Sequence, residues 1–270
     1  MNCPLLYRFR VVDKIPRAPS PAAARGILVH AVLEAIFDLP RAQRTLAAAT
    51  ALLEPQWVRL VEAEPELATL RESSGPEGGG PSAWLASAQS LVEQWFELED
   101  PTRLEPADRE LYVETEIDGL TLRGYVDRLD VAADGAMRIV DYKTGRSPSE
   151  LFEHKALFQM KFYALVLWQV RGVVPKMLQL VYLGNGEVVR YAPDEADLAA
   201  TRRMLGALWT AIERAASTGD WRPRPSKLCN WCDFRELCPE WGGTPPPLPV
   251  DAAQLALDPR RSGALDVNEH

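Results

Sequence analysis

Asp127 and Asp141 stand in segments otherwise built from apolar and aromatic residues, Gly124-Tyr125-Val126-Asp127 and Ile139-Val140-Asp141-Tyr142-Lys143. A lone carboxylate buried in such surroundings is costly or gives up its charge, and a divalent cation removes that cost. Lys143 follows Asp141 by two positions, so on an extended strand the two side chains share a face and an ammonium stands beside a cation-held carboxylate. His30, four residues after Gly26 on a segment of helical periodicity, offers an imidazole. Carboxylates, an imidazole and a lysine in this combination suit metal-assisted hydrolysis of a phosphodiester. Gln159 and Tyr163 lie one helical turn apart and could hold either a substrate backbone or the lysine. A second set is Cys229, Cys232 and Cys238, in Cys-x2-Cys-x5-Cys spacing, together with the distant Cys3.

Taken singly, these residues have ordinary explanations. An Asp-x-Lys step is common, a histidine on an apolar helix is usually a hydrogen-bonded core residue, and Gln159 and Tyr163 alone would be helix surface. The order, spacing and element type of the whole set carry the argument.

The elements that must position them follow from periodicity. Residues 21 to 38 place Ala24, Ile27, Leu28, Ala31, Val32, Ala35 and Ile36 at helical spacing. Two further helices are expected at 42 to 70 and 82 to 99, separated by a Ser, Gly and Pro-rich linker at 73 to 81; this acidic unit reads as an insertion before the sheet. From 110 to 144 the period becomes two, with turns at Asp118-Gly119 and Asp134-Gly135, which predicts an antiparallel meander. A long apolar helix at 149 to 170, strands at 176 to 183 and 187 to 191, and a helix at 195 to 217 follow. One geometric demand is sharp. A two-residue turn at Asp134-Gly135 would set Asp127 opposite Tyr142 and away from Asp141 and Lys143. Building the site therefore requires a turn longer by an odd residue, or a bulge, between Leu129 and Arg138.

The 270 residues are 47% apolar, enough for a sizeable core, and the net charge is −8. That acidity is local: residues 54 to 110 carry thirteen Asp and Glu against four Lys and Arg, and the rest of the chain is close to neutral. The stretch reads as a solvated helical face, so it does not exclude a nucleic-acid partner. The sequence has no membrane-length apolar run and no hydrophobic secretory stretch after Met1, which predicts a cytoplasmic protein without a membrane partner. The four cysteines are then ligand candidates rather than disulfides. No Gly-x4-Gly-Lys-Ser/Thr loop is present, so no ATP site is expected.

Five stretches carry a family resemblance: Arg25-Gly26-Ile27-Leu28-Val29-His30, Gly124-Tyr125-Val126-Asp127-Arg128-Leu129-Asp130, Ile139-Val140-Asp141-Tyr142-Lys143-Thr144-Gly145, Gln159-Met160-Lys161-Phe162-Tyr163, and the cysteines at both ends. Together they resemble the RecB-family nucleases of the PD-(D/E)XK superfamily, closest to the single-chain exonucleases with a cysteine-ligated iron–sulfur cluster. The resemblance implies an α/β fold: a restriction-endonuclease-like core with a mixed sheet flanked by helices, a helical insertion at about 42 to 105, and an iron–sulfur segment at 225 to 241 joined by Cys3. Residues 1 to 241 would form one domain and 242 to 270 a disordered tail. Family members carry a short helix-forming segment ahead of the first cysteine, whereas Cys3 stands almost at the start of this sequence.

The same resemblance implies roles. Asp127, Asp141, the Tyr142 carbonyl and His30 would bind Mg2+ or Mn2+, with Lys143 orienting the attacking water and Gln159 and Tyr163 in support. Cys3, Cys229, Cys232 and Cys238 would hold a [4Fe–4S] cluster, shielded by Trp231, Phe234 and Trp241. A structural Zn2+ would use the same four thiolates. Arg25, Arg128 and Arg146 are candidate DNA contacts, with Arg8, Arg10, Lys14 and Arg17 near the first motif. The implied activity is metal-dependent DNA hydrolysis, exonucleolytic on single-stranded ends in repair or recombination, with a helicase as an implied partner; the histidine suggests the end-directed mode. A structure-specific or flap endonuclease is the nearest enzyme alternative. A non-catalytic DNA-binding scaffold subunit of a helicase–nuclease complex is the alternative from another class.

Overall fold

In the computed structural model the described residues are 3–16, 20–72, 80–148 and 150–258. Arg17, most of the 73 to 81 linker and the end of the expected tail lie outside them. Helix α1 (Pro4–Tyr7) continues as a π-helical turn, Arg8–Val12. Then come α2 (Pro21–Ala35), α3 (Leu46–Ala63), α4 (Ala68–Glu72) and α5 (Gly80–Leu98), and the strands β1 (Asp108–Ile117), β2 (Leu120–Val131) and β3 (Met137–Lys143). Helix α6 (Glu150–Arg171) crosses to β4 (Met177–Tyr182), β5 (Glu187–Tyr191) follows, and α7 (Glu195–Thr218) and α8 (Ala252–Leu257) complete the helices. The sheet is mixed, in the order β1-β2-β3-β4-β5. β3 and β4 pair in parallel across the α6 crossover, whereas β2 with β3 and β4 with β5 are antiparallel.

Local chemistry explains the boundaries. Ser20 caps α2 by accepting the Ala23 N–H, with Pro21 at the first helical position, and Thr45 caps α3 through the Ala48 N–H. Gly184 at the end of β4 has no room for a side chain: a Cβ there would lie 2.6 Å from the Gly145 carbonyl carbon. Its N–H donates to the Gly145 carbonyl, which ties the loop after Lys143 to the neighbouring strand.

The described residues divide into two compact units. The larger unit comprises residues 20–113 and 125–198 among those described. Its core joins α2, α3 and α5 to Val140, Tyr142 and Val181 of the sheet, with Trp57, Trp84 and Trp95 buried among them. The acidic helical unit supplies α3 and α5 to the helical layer on one sheet face, with Trp57, Trp84 and Trp95 packed inward.

The smaller unit comprises residues 3–16, 114–124 and 199–258 among those described. Its separate core gathers Leu5, Tyr7, Phe9, Ile212, Trp221, Phe234, Ala252 and Ala256. Here the expectation of a disordered tail from 242 fails for the part described. Arg8 donates to the Pro246 carbonyl, the Tyr7 hydroxyl donates to the Ala256 carbonyl at 2.8 Å, and α8 closes the core with buried Ala252 and Ala256. The proline-rich composition hid a short apolar stripe.

Candidate active site

The β2–β3 hairpin solves the register problem. Its ladder pairs Arg128 with Val140, Leu129 with Ile139, Asp130 with Arg138 and Val131 with Met137, a register that sets Asp127 level with Asp141. The connection is a turn over 132 to 135 in which Gly135 adopts φ 82° and the Ala132 N–H returns to the Ala136 carbonyl. This is a three-residue loop with a bulged left-handed glycine, the odd residue the site requires. The ladder runs as far as Arg128 and Val140. Beyond it the Tyr142 N–H donates at 2.7 Å to Asp127 Oδ2, so the carboxylate takes the place of a ladder carbonyl and the strands part where the site begins.

From α2, His30 Nδ1 lies 3.5 Å from Asp127 Oδ2 and 3.9 Å from Glu110 Oε1. Ligand atoms of His30, Glu110 and Asp127 all fall within 4.8 Å of one another. Glu110 is the site residue that the sequence reading missed. Its φ of 44° breaks the alternation of the strand it stands on. A usable signal existed in the turn. Asp118 and Gly119 both have positive φ, and a two-residue hairpin turn of that kind pairs Glu110 with Asp127.

Asp141 lies outside that group of three and faces Lys143, Oδ2 to Nζ 2.9 Å. Lys143 donates to Gln159 Oε1 at 3.0 Å, and Gln159 donates to the Tyr163 hydroxyl at 3.2 Å. Of the two roles foreseen for Gln159 and Tyr163, the contact made is the one with the lysine. The Tyr142 contact at the site is its N–H to Asp127.

The electrostatics are those of a crowded carboxylate site. Burial pushes the Asp127 carboxyl up to about 7; His30 pulls it down, while Asp141 and Glu110 push it further up. Burial lowers the His30 imidazole, but Asp127, Glu110 and Asp141 outweigh it and push it up to about 9. Asp127 Oδ1 and Asp141 Oδ1 are buried without a hydrogen-bond partner among the described residues. A small cavity of about 10 Å3 is lined by His30, Glu110 and Asp127, room for one water-sized species. Orphaned carboxylate oxygens, an imidazole and a cavity of that size fit a small divalent cation.

The arginines sort differently. Arg128 cannot contact DNA as expected: it is 1% exposed, paired with Glu99 at 2.8 Å and Asp130 at 3.1 Å, and it donates to the Tyr142 hydroxyl. In β2 it points opposite to Asp127, into the helical layer. Arg25 is half-buried and donates to Ser87 at 3.2 Å, and Arg146 is exposed.

The four cysteines all belong to the smaller unit, where they line one cavity of about 80 Å3 with Phe9, Phe234 and Trp241. Burial raises the Cys238 thiol, the Glu240 N–H lowers it, and Cys3, Cys229 and Cys232 raise it further, as neighbours do. No three of the thiols lie mutually within 4.8 Å among the described residues. Backbone N–H groups of Arg224 and Ser226 donate to the sulfurs of Cys3 and Cys229 at 3.4 and 3.3 Å. Phe234 is buried beside them, whereas Trp231 is 76% exposed and shields nothing.

The chain is 30% identical over 260 residues to the Gene 69 protein of Mycobacterium phage D29, covering 88% of this chain and 92% of that protein. It is 24% identical over 275 residues to the Gene 69 protein of Mycobacterium phage L5, with the same coverage. A candidate exonuclease from Eubacterium rectale of known structure is 17% identical, with TM-score 0.43 over 68% of this chain and 73% of its own. The family model for the PD-(D/E)XK nuclease superfamily matches residues 1–239, which span every site residue described above. The chain belongs to the PD-(D/E)XK nuclease superfamily.

Proposed function

We propose that the chain is a metal-dependent deoxyribonuclease acting exonucleolytically on single-stranded DNA ends. The observation that carries this is the meeting of His30, Glu110 and Asp127 beside the Asp141–Lys143–Gln159 chain. His30, Glu110, Asp127 and Asp141 would hold Mg2+ or Mn2+. Such an ion, when bound, neutralises charge on a phosphodiester and acidifies water. Lys143 keeps an ammonium at the edge of the carboxylates, where it orients a water and stabilises negative charge developing on phosphate; one preorganised donor of this kind contributes about 3 kcal/mol. Gln159 and Tyr163 fix the lysine. The end-directed mode rests on the histidine, in keeping with the family resemblance, and with it a place in DNA repair or recombination.

The cysteine cavity supports a [4Fe–4S] cluster over zinc. Tetrahedral zinc with bonds of about 2.3 Å would draw the sulfurs to roughly 3.8 Å of one another. These thiols stand further apart around a cavity, with N–H groups on two sulfurs, an environment that suits a larger centre.

End-labelled linear and circular single-stranded DNA, incubated with Mg2+ or Mn2+, test the reading together. Release of mononucleotides or short products from linear DNA alone is expected. Cutting of circles would replace the exonuclease with an endonuclease, and no cutting of any DNA would leave the scaffold alternative. Asp127→Ala, Asp141→Ala and Lys143→Ala should each abolish cleavage while folding persists, and should not add, because they act as one unit.

A further inference from the structure

Two tyrosines lie exposed one strand repeat from the site. Tyr112 on β1 and Tyr125 on β2 are 46% and 51% exposed, with ring centroids 5.2 Å apart and planes tilted by 54°. The turn at Asp118-Gly119 that sets Glu110 opposite Asp127 also sets Tyr112 opposite Tyr125. Tyr125 therefore shares the sheet face of Asp127, two residues away, a rise of about 6.6 Å. Large aromatic rings are normally buried, and two of them held together in solvent are unusual. A cross-strand aromatic pair does stabilise a hairpin, but that role does not require rings left half open to solvent.

We propose that Tyr112 and Tyr125 form a stacking platform for an unpaired nucleobase of the nucleotide whose phosphate is held at the His30, Glu110 and Asp127 site. The inference rests on the nuclease reading above and deepens it. Every base has an aromatic face, so such a platform is tolerant of sequence. It does require the base to be unstacked, because a base within a duplex has both faces covered by its neighbours. The platform thereby gives the site a physical basis for preferring single strands. It also explains why a site dominated by carboxylates could hold a polyanion without a flanking row of lysines: part of the binding comes from the base.

The test pairs a binding arm with a cleavage arm. In the first, a single-stranded oligonucleotide carrying 2-aminopurine near one end is titrated with metal-free protein and its fluorescence followed. Stacking on the wild type should quench it. Tyr112→Ala and Tyr125→Ala together should weaken binding about tenfold or more, and Tyr125→Trp should retain it. In the second arm, oligonucleotides with one abasic position near the scissile phosphate are cleaved. The wild type should lose about tenfold in kcat/KM at one position, whereas the double alanine variant should treat intact and abasic strands alike.

If the wild type cleaves DNA but the alanine variants match it on both substrates, the platform is wrong and the nuclease reading stands. If the wild type quenches 2-aminopurine through these tyrosines yet cleaves nothing, the nuclease reading falls and the platform survives. Failure of the wild type to bind the probe overturns the platform.

Discussion

Asp127 meets three demands at once: it closes the hairpin by accepting the Tyr142 N–H, it faces His30, and it keeps one oxygen buried and unpaired. Its carboxyl, pushed up by burial to about 7 from an ordinary 3.8, binds a proton more readily folded than unfolded. The stability tied to that proton is fully present below pH 3.8 and is lost as pH rises through about 7. A divalent cation competes with the same proton, so its binding strengthens as pH rises over that range. The rise in melting temperature on adding Mg2+ or Mn2+ should therefore be larger at pH 8 than at pH 6, measured by thermal unfolding. Asp127→Asn should raise the melting temperature of the metal-free protein at pH 8 while abolishing the metal response. Equal shifts at both pH values would contradict the crowded-carboxylate picture.

Arg128, one residue away, has the opposite task. Burial raises the Glu99 carboxyl, but the bonds from Arg128, Trp95 and Tyr142 outweigh it and hold the group lowered overall. Removing the guanidinium would strand a buried carboxylate beneath the site. Arg128→Met should cost about 3–5 kcal/mol in urea unfolding, and adding Glu99→Leu should recover much of it. A surface arginine binding DNA would show neither effect. The sequence suggested DNA contact because Arg128 adjoins a candidate metal ligand, but adjacency along a strand means opposite faces.

At the scale of elements, the two hairpins do the positioning. Asp127, Asp141, Lys143, Gln159 and Tyr163 were legible because they sit on long elements whose period declares the face, and the need for an odd residue in the β2–β3 connection followed from strand alternation alone. Glu110 was not legible from alternation, since its left-handed backbone breaks it. The turn at Asp118-Gly119 would have found it had that register been followed as far as the other. Where the helical layer packs was not legible for a related reason: acidic composition says little of the inward face of α3 and α5, where the tryptophans lie. These readings make the turn a direct test. Deleting Ala132 keeps the three-residue loop but pairs Val131 with Ala136, which sets Asp127 opposite Val140 and on the other face from Asp141. The variant should keep its strand content by circular dichroism and lose metal-dependent cleavage. Retained cleavage would mean that Asp127 and Asp141 need not share a strand face.

At the scale of the whole molecule, the chemistry divides between two bodies. All residues of the carboxylate site belong to the larger unit, and all four cysteines to the smaller, whose core is formed by segments from the two ends of the chain. Cys3 is separated from Cys229 by most of the sequence, and closing so long a loop through a shared centre would remove much of the freedom of the unfolded chain. The smaller unit buries far fewer apolar side chains than the larger, so it has more to gain from such a tie. The proposed cluster should thus matter to folding of this unit before it matters to hydrolysis. Protein purified without oxygen should be brown, with iron and sulfide in equal amounts, and Cys3→Ser should bleach it. Limited proteolysis of that variant should open segments at the N-terminus and around Cys229–Cys238 first, with residual cleavage of DNA still dependent on Asp141 and Lys143. A colourless protein holding one zinc would replace the cluster with a structural ion and leave the same coupling in place. Loss of cleavage before any opening of the smaller unit would instead mean that the centre takes part in the reaction, and the division of labour between the two bodies would be wrong.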